Sequence, residues 1–69
     1  MKNVMTIDEH KALIEFDAET EMFRGSFIGL NGLVIFYGYS VDELKKEGSQ
    51  SLQIFLNGCI EDRLEPYPA

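Results

Sequence analysis

Polar and apolar positions change period near residue 40. Short apolar runs broken by turns fill residues 3–38, and a helical stripe fills residues 41–63. Val4, Met5, Thr6 and Ile7 predict a short first strand, closed by the polar turn Asp8-Glu9-His10. In the second strand, alternation with period two puts Ala12, Ile14 and Phe16 on a core face and Lys11, Leu13, Glu15 and Asp17 on the other. After the polar loop Ala18-Glu19-Thr20, a third strand runs through Phe23, Gly25 and Phe27 and leaves Met22, Arg24, Ser26 and Ile28 on the opposite side. Asn31-Gly32, set between Leu30 and Leu33, has the form of a tight hairpin turn, since both residues tolerate positive φ. Leu33 to Tyr37 is β-branched and aromatic enough for a fourth strand, which Gly38 ends.

The helix start is well specified. Ser40 fits an N-cap, Glu43 three residues later completes a capping box, and Tyr39 and Leu44 stand where a hydrophobic staple packs. At 100° per residue, Val41, Leu44, Gly48, Leu52, Phe55, Leu56 and Cys59 gather on one stripe that can lie across the sheet, with Gly48 and Ser51 small enough for close approach. Pro66 and Pro68 are expected to stop the helix and to make residues 65–69 an extended tail or linker stub behind a domain of residues 1–64. The predicted class is α+β: a four-stranded, mostly antiparallel meander with one C-terminal helix packed on one face. Leu13, Met22 and Ile28 then form an apolar patch on the uncovered sheet face, while Ile54 and Ile60 flank the helical stripe. These five residues are the expected contacts of a homo-dimer or higher homo-oligomer.

Length sharpens that expectation. A chain of 69 residues buries only about 60% of the surface it exposes when unfolded, so it needs a staple or a partner. Cys59 is the single cysteine, which excludes an internal disulfide, and one His with one Cys falls short of a structural zinc site. No metal and no cofactor is expected. Twelve acidic residues against six basic ones give a formal charge of −6, which repels a phosphate backbone and argues against nucleic-acid binding. The start MKNVMTIDEH has no apolar run of signal-peptide length and no segment approaches the roughly 18 apolar residues of a membrane span. Together with the unpaired cysteine, this places the chain in the cytoplasm, away from membranes.

No catalytic motif is present, so the chain is not expected to be an enzyme. His10 reads as a solvated turn residue without the positioned partners a general base needs. Cys59 lies on the buried stripe and reads as a core thiol, since reactive thiolates want an exposed, electropositive setting. Glu15, Asp17, Glu19 and Glu21 alternate around the first long hairpin. Solubilising charge is the first reading of that series and a docking surface the second. Phe23 beside it suits the core first and a hydrophobic anchor second.

Asp17 followed by Phe23, then Phe27-Ile28-Gly29-Leu30-Asn31-Gly32, Phe36-Tyr37-Gly38, Ser40-Val41-Asp42-Glu43-Leu44 and Glu65-Pro66-Tyr67 occur in one order along almost the whole chain. In that order and spacing the sequence resembles the HicB family of type II antitoxins. The resemblance implies the N-terminal toxin-neutralising domain, a degraded RNase H-like fold that has lost catalysis. It also implies a partner, a HicA-like mRNA interferase toxin whose catalytic histidine and RNA surface the antitoxin masks. An acidic inhibitor suits such a partner, because charge complementarity speeds and steers association, and the expected toxin-binding residues are Asp17, Glu19, Glu21 and Phe23. By that resemblance, family members continue past the Pro-Tyr segment into a DNA-binding domain, whereas this sequence ends at Ala69, as either a truncated or a natural single-domain member would, and in both cases autoregulation by DNA binding is in doubt. The alternative is an orphan HicB-like interaction domain that self-associates without a toxin.

Overall fold

A computed structural model describes residues 3–67; Met1, Lys2, Pro68 and Ala69 lie outside the described residues, which removes Pro68 and the end of the expected tail from view. The strands are β1 (Asn3–Ile7), β2 (His10–Asp17), β3 (Met22–Phe27) and β4 (Ile35–Gly38), followed by the helix α1 (Val41–Glu61). The strands form one antiparallel meander in the order β1-β2-β3-β4. The α+β class and the single covering helix are as expected. The helix crosses the face that carries Ile7, Ala12, Ile14, Phe27 and Phe36, and inserts Leu44 and Leu52 into it with no exposed surface. Full burial of each leucine contributes roughly 1.5–3 kcal/mol.

Two glycines decide how closely helix and sheet approach. Gly25 is paired across the ladder with Phe36, and Gly48 faces the same ring from the helix. A Cβ on Gly48 would stand 2.7 Å from Ile7 Cδ1 and 2.9 Å from Phe36 Cε2. The Phe36 ring therefore fills the space both residues leave free, tilted 40° against Phe27 at a centroid distance of 5.0 Å. Ring filling a cross-strand glycine is a recognised way of keeping a sheet packed there.

The helix begins as expected. The Ser40 hydroxyl accepts from the Glu43 N–H at 3.1 Å, and Glu43 Oε1 accepts from the Tyr39 N–H at 3.2 Å, so the reciprocal half of the box closes one residue early. Tyr39 itself stays exposed. The stop differs from expectation. The helix ends at Glu61, before either proline, because Arg63 turns left-handed at φ 56°. The Leu64 N–H then reaches the Cys59 carbonyl at 2.8 Å and the Arg63 N–H the Ile60 carbonyl at 3.3 Å. That pair of bonds is a Schellman motif with arginine in the place glycine usually takes.

Four further expectations need correction. The first turn is only Asp8-Glu9, both at positive φ (49° and 67°), and His10 opens β2 as a half-buried residue instead of a solvated turn residue. Asn31-Gly32 is no two-residue hairpin turn: β3 and β4 are joined by residues 28–34, with Gly29 at φ 79° supplying the positive φ. Gly32 instead makes room for the Phe55 ring. Leu33 is 79% exposed in that loop, and the apolar residue that enters the core is Val34. Lastly, Phe16 points to the helix-bearing side of the sheet yet is 57% exposed. Its neighbour Phe23 pairs with Gly38, the last residue of β4, after which the chain turns into the helix. The hairpin β2–β3 simply extends past the cover.

Candidate functional site

Residues 18–21 join β2 to β3 and form the end of this projecting hairpin. Asp17 shapes the turn, its Oδ1 accepting from the Glu19 N–H at 2.9 Å, the Asx-type bond with which a short acid organises a loop. Glu21 holds a left-handed φ of 58° and returns the chain to Met22. Glu19 and Glu21 are exposed and Asp17 half-buried. Phe16 and Phe23 meet edge to face at 66° with centroids 5.3 Å apart, a geometry aromatic pairs favour. A shallow cleft at the hairpin end is lined by Glu15, Phe16, Asp17, Ala18, Glu19 and Arg24.

The four residues expected to contact a toxin are thus close along the hairpin but not on one side of it. Asp17 pairs with Met22 and points to the uncovered sheet face, while Phe23 pairs with Phe16 on the helix-bearing face; Glu19 and Glu21 stand at the end between them. A partner that touches all four must straddle the hairpin. Phe16, assigned to the core by its alternation, is the most exposed large apolar group of this region. Ile14 and Phe16 differ in their neighbours along the ladder: Ile14 is paired with both Asn3 and Gly25, whereas Phe16 is paired with Phe23 and, beyond it, with Gly38, which has no side chain to cover the rung.

The five expected oligomer contacts are divided between two sides of the molecule. Leu13 and Met22 are half-buried and Ile28 is 42% exposed on or beside the uncovered sheet face, whereas Ile54 and Ile60 are about three-quarters exposed on the helix. On the uncovered face, Val4, Leu13, Ser26 and Ile35 make one row across all four strands, bordered by the row Glu15, Arg24, Tyr37.

At the opposite end of the sheet the chain folds back on itself. The Asn31 N–H donates to the Pro66 carbonyl at 2.7 Å, and its side-chain amide to the Glu65 carbonyl at 3.2 Å. The Asp8 carbonyl, 2.6 Å away, accepts from His10 Nδ1, which leaves Nε2 to meet the Tyr67 hydroxyl at 2.7 Å; the two rings stack at 5.7 Å. Asp8 Oδ2 also accepts from the Ser49 hydroxyl at 2.6 Å, tying the first turn to the helix. His10 is consequently held by its neighbours in a clasp, with both ring nitrogens engaged. Cys59 is buried, as the stripe suggests. Among the described residues no group of three or more His, Cys, Asp or Glu side chains is arranged to hold a metal ion, and no helix is long and apolar enough to cross a membrane. Comparison with protein-family models, with curated proteins and with solved structures finds no match to this chain.

Proposed function

We propose that this chain is an antitoxin-type binding module that docks the end of the β2–β3 hairpin on a basic RNA-cleaving protein, a HicA-like mRNA interferase, and blocks it. The observation that carries the reading is Phe16, 57% exposed and met edge to face by the half-buried Phe23, beside the acidic turn of Asp17, Glu19 and Glu21. Binding energy at protein interfaces concentrates in a few aromatic or arginine anchors that become desolvated, while surrounding charge mainly governs encounter rate and partner choice. An exposed aromatic ring next to an acidic turn supplies both parts. An enzyme that cuts mRNA must attract phosphate, so an acidic surface competes with its substrate directly. The HicB-like order of motifs supports the same partner class.

The test is coexpression with HicA-like RNases encoded in the same genome, followed by binding kinetics on the one that is rescued. Growth rescue is expected. Phe16→Ala should raise the dissociation rate at least about fivefold, the effect of losing an interface anchor worth more than about 1 kcal/mol. Glu19→Lys with Glu21→Lys should lower the association rate and flatten its salt dependence, because ions screen rim charges. Rescue and binding that survive all three substitutions in a folded protein would move the interface off this hairpin; no binding to any such RNase would refute the function.

A further inference from the structure

Strand β1 closes one side of the sheet, and among the described residues it is bonded to β2 alone, with its outer edge bare. Natural sheets guard such edges with charge, proline, a bulge or a covering element. Asn3–Ile7 contains no charged residue and no proline, and its register with β2 runs without interruption from Asn3↔Ile14 to Ile7↔His10. The helix packs chiefly over β4 and comes close to β1 at few points.

We propose that this edge pairs antiparallel with the same edge of a second copy across a two-fold axis at Met5, joining two sheets into one. The phase of the ladder carries the register. Asp8 and Glu9, both at positive φ, make a two-residue turn of the primed type, so the closing residues Ile7 and His10 exchange hydrogen bonds. Alternation then turns the N–H and C=O of Thr6 and Val4 outward. An independent bond agrees: Lys11, opposite Thr6, gives its carbonyl to the Ile28 N–H on the other side, at 3.0 Å. Val4 and Thr6 can both be satisfied within the strand in one arrangement, Val4 opposite the partner's Thr6 and Thr6 opposite the partner's Val4. Met5 then stands opposite the partner's Met5 as a non-hydrogen-bonded pair on the helix-bearing face, where it is only half-buried in one copy.

A second copy fits this edge better than an unrelated strand for two reasons. The row of donors and acceptors is self-complementary about Met5. Furthermore, antiparallel pairing sends the two acidic hairpin ends in opposite directions. Glu19 lies seven residues beyond Ala12, the partner of Met5, so at about 3.3 Å per residue the two ends are separated by some 45 Å, several times the screening length at physiological salt. Two chains of charge −6 can thus meet at an uncharged edge. The hairpin end stays free, so this pairing does not depend on the function proposed above.

Sedimentation equilibrium of the full chain at micromolar to high-micromolar concentration should show a reversible dimer. Thr6→Pro removes an N–H that faces away from the fold, a position where edge strands tolerate proline. The variant should keep its circular dichroism and weaken the dimer at least about tenfold, since two of the four bridging bonds go. Register is read by crosslinking. Non-hydrogen-bonded antiparallel partners have Cα atoms about 4.5 Å apart, within the span of a disulfide, so Met5→Cys should oxidise to a covalent dimer and Val4→Cys should not. That pair decides the matter even if Thr6→Pro fails to fold. A wild-type monomer throughout, an unweakened dimer in folded Thr6→Pro, or equal crosslinking of both cysteine variants overturns the proposal. So does protection of the Thr6 amide that arises only when a HicA-like RNase is added, which would give the edge to that protein.

Discussion

Replacing Gly25 by alanine tests how tightly helix and sheet are fitted. In a strand interior alanine is favoured over glycine by about 0.5–1 kcal/mol, because less backbone freedom is lost on folding. Packing works against that gain. An added Cβ would fall inside van der Waals distance of three atoms of the Phe36 ring, the farthest at 2.8 Å. The ring has no room to withdraw: Gly48 closes it from the helix, Phe27 flanks it, and Phe36 is 3% exposed. Overpacking of a closed site costs about 1–3 kcal/mol, and sometimes more; with all three contacts on one trapped ring the upper end applies. Net destabilisation of about 2 kcal/mol is expected. A domain of this size has roughly 3–10 kcal/mol in total at 0.05–0.15 kcal/mol per residue. With a urea slope of about 1 kcal/mol/M, the unfolding midpoint followed by circular dichroism should fall by roughly 2 M. Repeating the substitution with Phe36→Leu, which shortens the ring, should recover about 1 kcal/mol or more as coupling between the two sites. A neutral or stabilising Gly25→Ala, or an equal cost in both backgrounds, would refute the argument.

Arg63→Gly should stabilise the domain by about 1 kcal/mol by relieving the left-handed residue of the Schellman motif, raising Tm by about 4–8 °C in a thermal melt; an unchanged Tm would mean that the arginine side chain offsets the backbone cost. Tyr67→Phe deletes the hydroxyl that meets His10 and should cost about 0.5–1 kcal/mol at this exposed site. Hydrogen exchange at the Asn31 amide, which donates to Pro66, should accelerate with it; unaltered protection there would separate the tail bonds from the ring contact.

Much of the fold was legible because several local patterns agree. The alternation in β2 and β3, the Ser40–Glu43 box and the stripe from Leu44 to Cys59 each reflect a short-range rule, and each recurs in the structure. What could not be read depends on distant partners. Asn31 looks like a turn residue, yet its amide groups are spent on Glu65 and Pro66, 34 and 35 positions away. Arg63 takes a conformation that its residue type disfavours, and only the bonds to Cys59 and Ile60 reveal it. Phe16 alternates like a core residue, and its exposure follows from its cross-strand neighbours, since its rung ends on Gly38 and the β1 register begins only at Ile14, which are properties of other strands. The charge of the hairpin end is therefore legible in the sequence, whereas the exposure of Phe16 is hidden by its periodicity.

The clasp between His10 and Tyr67 spans 57 positions, nearly the whole chain, and so bears on the order of folding. Closing a long loop loses chain entropy before any contact can repay it, which makes distant contacts late ones. The β1–β2 turn, the sheet and the helix can all assemble from residues that precede Glu65, whereas the clasp waits for Tyr67 to leave the ribosome. Until then the first turn is held to the helix through the Asp8–Ser49 bond and the burial of Ile7. In the folded domain the same contact should be among the first to open, a low-energy local unfolding that releases the segment from Glu65 to Tyr67 while the core around Phe36 stays intact.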